Sequence, residues 1–129
     1  MNKIKLIYLK ELKCHEQTQE SRVLRLMKMI EKKGEFIKPI VVEKNSKVIL
    51  DGHHRVEAIK RLGYTKIPAR LVNYNSVSVS LRHKNLPAEL IKKLVLLVAE
   101  QHHLLPRKTT KHFVGVTNPK VAISLYSLN

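Results

Sequence analysis

The chain has 129 residues, 43% of them hydrophobic and 27% charged, which is the composition of an ordinary globular protein with room for one domain, expected over residues 1–129. No apolar run approaches membrane-spanning length, and a single cysteine, Cys14, excludes an intramolecular disulfide and agrees with the reducing cytoplasm. The net charge of +15 favours phosphate-bearing partners, and charge alone does not choose among them.

The first quarter of the chain predicts a strand, a loop and a helix. Ile4 to Leu9 alternates loosely and predicts a strand, whereas residues 11–17 have no clean period and predict a loop. From about Gln19 to Lys33 apolar residues recur at helical spacing, and Gly34 is a typical helix stop. The basic residues on the opposite face are most simply a solvated face: Arg22, Arg25 and Lys28.

The middle of the chain predicts a hairpin followed by a second helix. Ile40 to Glu43 and Lys47 to Leu50 read as two strands joined by a turn at Asn45-Ser46. Apolar residues from Val56 to Leu62 then recur at helical spacing. A strand, a glycine turn and a helix start are therefore compressed into about three residues.

The second half predicts two more strands, over Ile67–Tyr74 and Val77–Leu81, and a third helix beginning at Pro87. The wide apolar stripe of that helix can serve a core or a dimer, so the chain is expected to be a monomer or a homodimer. A polar, basic loop is expected over 101–112, followed by short extended pieces at 113–116 and 121–125. Because strands and helices mix without strict alternation, we expect an α+β fold with a small mixed sheet and packed helices.

The segment Asp51-Gly-His-His-Arg55 lies at the predicted helix start. Free backbone N–H groups at a helix start form an anion site, supported by the helix dipole. His53, His54 and Arg55 are interpreted as three donors around this site. Asp51 is a carboxylate that could hold a metal or cap the helix. Phosphate binding is favoured over a purely structural interpretation for the cluster as a whole.

Two further polar clusters lie on predicted loops, at residues 14–17 and 108–112. The second supplies two hydroxyls, two ammonium groups and an imidazole, which suits an anionic ligand or a solvated basic turn equally well. Glu16, in the first cluster, could take a proton from a hydroxyl if it faced the other two clusters; otherwise it is a surface glutamate. The functional interpretation therefore requires three separated segments to converge in space.

At these residues the sequence resembles the ParB/sulfiredoxin superfamily, and within it the free L-serine kinases. The resemblance covers most of the chain and implies a ParB/sulfiredoxin-like fold. It also implies transfer of a phosphoryl group from ADP or ATP to the hydroxyl of free L-serine, giving O-phospho-L-serine. The motifs that carry it, in the same order as in that family, are His15-Glu16-Gln17, Lys38-Pro39, Asp51 to Arg55 and Lys108 to His112.

The resemblance also implies a role for each residue. Glu16 would be the general base, and Asp51, the second catalytic residue, would bind a magnesium ion. The residues implied to bind the nucleotide phosphates are Gly52, His53, His54 and Arg55. The residues implied to bind serine are Lys108, Thr109, Thr110 and His112.

The alternative from the same superfamily is a ParB-like, nucleotide-dependent DNA-binding protein without kinase activity. The net charge of +15 favours it. Such proteins usually join this domain to a helix-turn-helix domain, for which 129 residues leave no room, so the kinase is the preferred interpretation. Nucleotide and free L-serine are then the expected partners, nucleic acid is less favoured, and no membrane is expected. The sequence does not choose between ADP and ATP.

Overall fold

The structure is a computed structural model, and it describes residues 4–36, 38–81, 86–101, 104–106, 110–114 and 123–129. Three α-helices and eight strands are formed by these residues. In chain order they are β1 (Ile4–Tyr8), α1 (Glu20–Lys33), β2 (Glu35–Phe36), β3 (Ile40–Glu43), β4 (Ile49–Asp51), α2 (His53–Arg61), β5 (Lys66–Val72), β6 (Val77–Leu81), α3 (Ala88–Glu100), β7 (Thr110–Val114) and β8 (Ile123–Ser124).

The main sheet has four strands in the order β1-β5-β3-β4. Strand β5 pairs antiparallel with β1 and parallel with β3, whereas β3 and β4 form the predicted antiparallel hairpin. Two smaller antiparallel pairs, β2 with β8 and β6 with β7, complete the described strands. The expected α+β class with a small mixed sheet is therefore confirmed.

Each face of the main sheet has its own buried cluster, because successive side chains of a strand point to opposite faces. Ile40 and Val42 of β3 belong to the cluster that includes residues of α1 and α2. Val41, between them, belongs to the cluster that includes Val95 and other residues of α3. The sheet thus separates α1 and α2 from α3.

The start of α1 is bonded to both ends of α2. The Arg61 guanidinium donates two hydrogen bonds to the Glu20 carboxylate, at 2.6 and 2.7 Å. The backbone N–H of Gln19, the residue before α1, donates to Nε2 of His54 in the first turn of α2 at 3.0 Å. These contacts hold the start of α1 against α2, with Gln19 bonded to the first turn of α2 and Glu20 to its last residue.

Some expectations from the sequence were wrong in detail. Residues 110–112 belong to strand β7, which pairs with β6, and not to a loop. Strand β2 was not predicted, and Leu125 starts a short 3-10 helix rather than ending an extended segment. Within the described ranges, none of the helices has the length and apolar character needed to span a membrane.

Candidate functional site

The turn between β4 and α2 is fixed by backbone geometry. Asp51 ends β4, Gly52 precedes the helix with φ of 110°, and His53 begins α2. A β-carbon at Gly52 would lie 2.5 Å from Cγ2 of Ile40, so only glycine fits both the φ angle and the space. No side chain caps the helix, so Asp51 does not have the alternative N-cap role, and the first-turn N–H groups carry the positive end of the dipole.

The two histidines of this turn hold the preceding loop against α2. Nε2 of buried His53 accepts a hydrogen bond from the backbone N–H of His15 at 3.2 Å, and Nε2 of His54 accepts from Gln19. A backbone nitrogen can only donate, so both Nε2 atoms are unprotonated. The pKa of His53 lies well below its ordinary value, mainly because the ring is buried and, to a smaller extent, because His15 is close. Each neutral ring then carries its proton on Nδ1, so each keeps one N–H donor beside the backbone N–H groups of the helix start.

Arg55 organises the other side of the turn. Its guanidinium donates to the carbonyls of Lys38 at 2.9 Å and Pro39 at 2.8 Å, and to Oδ2 of Asp51 at 3.2 Å. These contacts bring the Lys38-Pro39 segment to the helix start. Asp51 stays 54% exposed, and among the described residues its Oδ1 has no hydrogen-bond partner.

The loop that carries Glu16 lies between β4 and Leu105. Lys13 forms a parallel bridge with Val48, and Glu16 forms one with Leu105. The backbone N–H of Gln17 donates to the Leu105 carbonyl at 2.7 Å, and the Leu105 N–H donates to the His15 carbonyl at 2.7 Å. A segment without hydrophobic periodicity is thereby held in place from both sides.

Glu16 meets Thr110 of β7 in this position. Oε1 of Glu16 accepts the Thr110 backbone N–H at 2.7 Å and the Thr110 hydroxyl at 2.8 Å. Nε2 of His15 lies 3.0 Å from the same hydroxyl oxygen. Because the hydroxyl proton points to the carboxylate, the hydroxyl oxygen accepts from His15 Nε2–H. Oε2 of Glu16 has no hydrogen bond within the part of the chain that the structure describes.

A cluster of neutral imidazoles lies behind this contact. The ring centroid of His15 lies 4.6 Å from that of His53 and 5.7 Å from that of His112. Burial lowers the pKa of His15 to about 4, against a smaller opposing effect of the Ile49 backbone. Burial also lowers the pKa of His112 to about 3, with the nearby His15 ring as the next cause. Nε2 of His112 lies 2.7 Å from the hydroxyl of Tyr74, which orients the ring.

These segments line one cavity of about 790 Å³, which is large enough for a nucleotide. Its walls come from Glu16, α1, the described residues from Glu35 to Lys38, the turn before α2, and β7. Six cationic residues and three carboxylates contribute to the lining, so the cavity carries a net positive charge. The cations are Arg22, Arg25, Lys33, Lys38, Arg55 and Lys111, and the carboxylates are Glu16, Glu35 and Asp51.

Most of the residues that the sequence singled out line this cavity together. They are Glu16, Asp51, Gly52, His53, His54, Arg55, Thr110 and His112. Lys108 and Thr109 lie outside the described residues. Arg22 and Arg25 were interpreted as a solvated face, whereas they line the cavity. The sequence did contain a signal for this position, because helical spacing puts both arginines on the same side of α1 as Leu26 and Met29.

Asp51 is the side chain best placed to hold a divalent cation. The described part of the chain has no group of three or more His, Cys, Asp or Glu residues arranged as metal ligands. Magnesium commonly uses only one or two carboxylates, with water and substrate phosphates completing its coordination. A half-exposed carboxylate with one uncommitted oxygen, beside a helix start suited to phosphate, fits that pattern.

The sequence of this chain is similar to a known protein family and to several curated proteins. Residues 1–84 match the sequence profile of the ParB N-terminal domain. A Sulfolobus acidocaldarius protein named "ParB-like protein" is 45% identical over 76 residues, which cover 59% of this chain and 38% of that protein. A Desulfurococcus mucosus protein named "ATP-dependent L-serine kinase" is 38% identical over 81 residues, which cover 60% of this chain and 32% of that protein.

A solved structure of a free serine kinase in complex with AMP superposes with a TM-score of 0.83 at 15% identity, covering 98% of this chain and 93% of that chain. This likeness shows the fold. The chain spans about a third of the length of the curated relatives it matches. Because the sequence profile covers residues 1–84, well over half of the chain, the chain belongs to the family of ParB N-terminal domains.

Proposed function

We propose that this protein is a nucleotide-dependent kinase of free L-serine, acting as one domain over residues 1–129. The observation that carries the proposal is that Glu16 and the uncapped start of α2 line one cavity of net positive charge. Relatives named ATP-dependent L-serine kinase, 36% and 38% identical over part of the chain, support it. The contact of Glu16 with Thr110 extends the site beyond residues 1–84, which match the family profile.

Glu16 acts as the general base in this proposal. Thr110 occupies Oε1 of the carboxylate with two hydrogen bonds and leaves Oε2 for the hydroxyl of serine. Glu16 takes the hydroxyl proton while the serine oxygen bonds to the terminal phosphorus of the nucleotide. The bond from that phosphorus to the bridging oxygen breaks, and the nucleotide leaves with one phosphate fewer. Phosphoryl transfer of this kind depends on positioning and charge stabilisation.

The start of α2 binds the phosphates of the nucleotide in this proposal. The first-turn N–H groups of His53 and His54 are the donors, and Gly52 lets a phosphate approach the backbone closely. Arg55 holds Asp51 in place, and Asp51 would bind magnesium. A bound magnesium ion would neutralise negative charge on the phosphates during transfer.

The serine side of the site is formed by β7. Thr110 orients the base, and His112, whose ring is fixed by Tyr74, faces the same cavity. The Thr110 hydroxyl is already bonded to Glu16 and His15, and Nε2 of His112 to Tyr74, so these two residues support the serine site by holding the base and the cavity wall in place. Lys108 and Thr109 remain predicted serine ligands from the resemblance alone.

The direct test is synthesis of O-phospho-L-serine, measured by mass spectrometry, from L-serine and magnesium with ATP in one reaction and ADP in another. Phosphoserine in either reaction, and its absence with D-serine or without nucleotide, is the expected result. The comparison of the two reactions identifies the donor. No phosphoserine with either nucleotide would contradict the proposal.

The second candidate is a nucleotide-dependent DNA-binding protein. The net charge of +15 and the 45% identity to a protein named "ParB-like protein" favour it. It predicts salt-sensitive binding of duplex DNA that changes when nucleotide is added, without phosphoserine formation. A mobility-shift titration at two salt concentrations, run beside the mass spectrometric assay, separates the two functions.

A further inference from the structure

We propose that Arg22 and Arg25 of α1 form the second wall of the phosphate site and bind the nucleotide's phosphate chain opposite the start of α2. This inference rests on the proposed function insofar as that function places a nucleotide in the cavity. It assigns a ligand-binding role to two residues that the sequence pattern assigns only to a solvent-facing helix surface.

The positions of the two arginines support this role. Both line the cavity that Gly52 and His54 also line. The Gln19–His54 contact places the start of α1 beside the start of α2, and the Glu20–Arg61 pair bonds the first residue of α1 to the last residue of α2, so the first turn of α1 is fixed against α2. A phosphate at that point would be reached by N–H groups from one side and by guanidinium groups from the other.

Contacts among the described residues do not stabilise the charges of these two arginines. Among the described residues, neither guanidinium has an ion pair or a side-chain hydrogen bond. Arg22 lies in the first turn of α1, where a cation opposes the helix dipole. Residues three apart on a helix are neighbours, so the two positive charges also repel each other. A bound anion relieves both effects.

The chemistry of guanidinium selects the ligand class. A planar fork of N–H donors matches phosphate oxygens in pairs, and two forks side by side suit adjacent phosphates of one chain. Leu26 and Met29, farther along the same face of α1, give the cavity an apolar wall beyond the arginines. The inferred ligand is therefore a nucleoside di- or triphosphate with its phosphates toward the start of α1 and its base toward Met29.

The experiment measures binding of ADP, inorganic pyrophosphate and adenosine by calorimetry to the wild type, Arg22→Gln, Arg25→Gln and the matched control Lys28→Gln. Lys28 is an exposed cation on the same helix that does not line the cavity. We expect each arginine variant to bind ADP and pyrophosphate at least about tenfold more weakly, with adenosine affinity unchanged. Melting temperatures without ligand should be equal to or above that of the wild type, which shows that the variants fold.

Affinities for pyrophosphate equal to that of Lys28→Gln would overturn the inference, as would an equal loss of adenosine affinity. The outcome is separable from that of the kinase proposal. If the wild type makes no phosphoserine but the arginine variants lose pyrophosphate affinity, the kinase proposal fails and this inference stands. If the wild type makes phosphoserine and the variants bind pyrophosphate normally, only this inference fails.

Discussion

The carboxylate of Glu16 and the hydroxyl of Thr110 are 2.8 Å apart, although 94 positions separate the two residues in the chain. The backbone N–H of Thr110 donates to the same carboxylate oxygen at 2.7 Å. This double contact joins the loop before α1 to strand β7. It brings the first and third of the polar clusters in the sequence to the second, at the start of α2.

The Thr110 hydroxyl should affect the rate of the reaction more than substrate binding. Thr110→Val removes one of the two hydrogen bonds to Glu16 and the acceptor used by His15, so the carboxylate loses orientation. We expect kcat to fall roughly 10- to 100-fold, since small displacements of a catalytic group have effects of that size. Thr110→Ser, which keeps the hydroxyl, should retain most of the activity. Steady-state kinetics with wild-type kcat in Thr110→Val would exclude this role.

Gly52 should be the glycine least tolerant of substitution among Gly34, Gly52 and Gly63. All three have positive φ, but a β-carbon would meet nothing within 4 Å at Gly34 or Gly63 and would overlap Ile40 at Gly52. We expect Gly63→Ala to lower the free energy of unfolding by about 1–2 kcal/mol from backbone strain. Gly52→Ala should lower it by a further ~1–3 kcal/mol from overpacking.

Urea denaturation of the two glycine variants measures this difference. Equal free energies of unfolding for Gly52→Ala and Gly63→Ala would mean that Ile40 moves aside without cost. In that case the close packing of the turn against β3 would not be what requires glycine at this position.

The buried imidazoles should make the protein less stable in acid. The pKa of His15 is about 4 in the folded chain, below the ordinary value of 6.5, so between these pH values the unfolded chain binds a proton that the folded chain does not. Stability from this residue is complete above about pH 6.5 and is lost as the pH falls toward 4. The loss for one such residue is on the order of 3 kcal/mol.

The variant His15→Gln isolates this effect because glutamine cannot titrate and can keep a donor near Thr110. We expect the drop in melting temperature between pH 7 and pH 4.5 to be smaller in His15→Gln than in the wild type. An identical drop in both proteins would show that other groups cause the acid sensitivity.

Asp51 should determine the magnesium requirement. Asp51→Asn keeps the size of the side chain and an oxygen for Arg55 but removes the negative charge that attracts the cation. We expect the magnesium concentration for half-maximal activity to rise at least about tenfold, with ADP affinity in the absence of magnesium not reduced. Glu35→Gln, which removes another carboxylate of the cavity lining, is the control. A normal magnesium dependence in Asp51→Asn would place the metal elsewhere.

The parts of the fold with strong hydrophobic periodicity could be predicted from the sequence. Helix α1 ends at Lys33 with Gly34 in the left-handed conformation, as expected. The strand, glycine and helix start around Gly52 were also predicted, because an apolar run, a glycine and a 3.6-residue period follow one another directly. In these segments local preference and tertiary packing agree.

The parts that long-range contacts decide could not be predicted. Thr110, Lys111 and His112 are polar and resemble a loop, but pairing with β6 makes them part of a strand. Helical periodicity places Arg22 away from the core, but it does not distinguish bulk solvent from a cavity between two elements. The acceptor roles of His53 and His54 depend on backbone N–H groups more than 30 positions away.

The measurement that tests the central claim most directly is phosphoserine formation by the wild type and by Glu16→Gln, alongside calorimetric ADP binding by both. Glutamine can still accept from Thr110 but cannot take a proton from serine. The account predicts phosphoserine from the wild type, at least about a 100-fold lower rate from Glu16→Gln, and nearly equal ADP affinities. A Glu16→Gln variant that makes phosphoserine at the wild-type rate would contradict it.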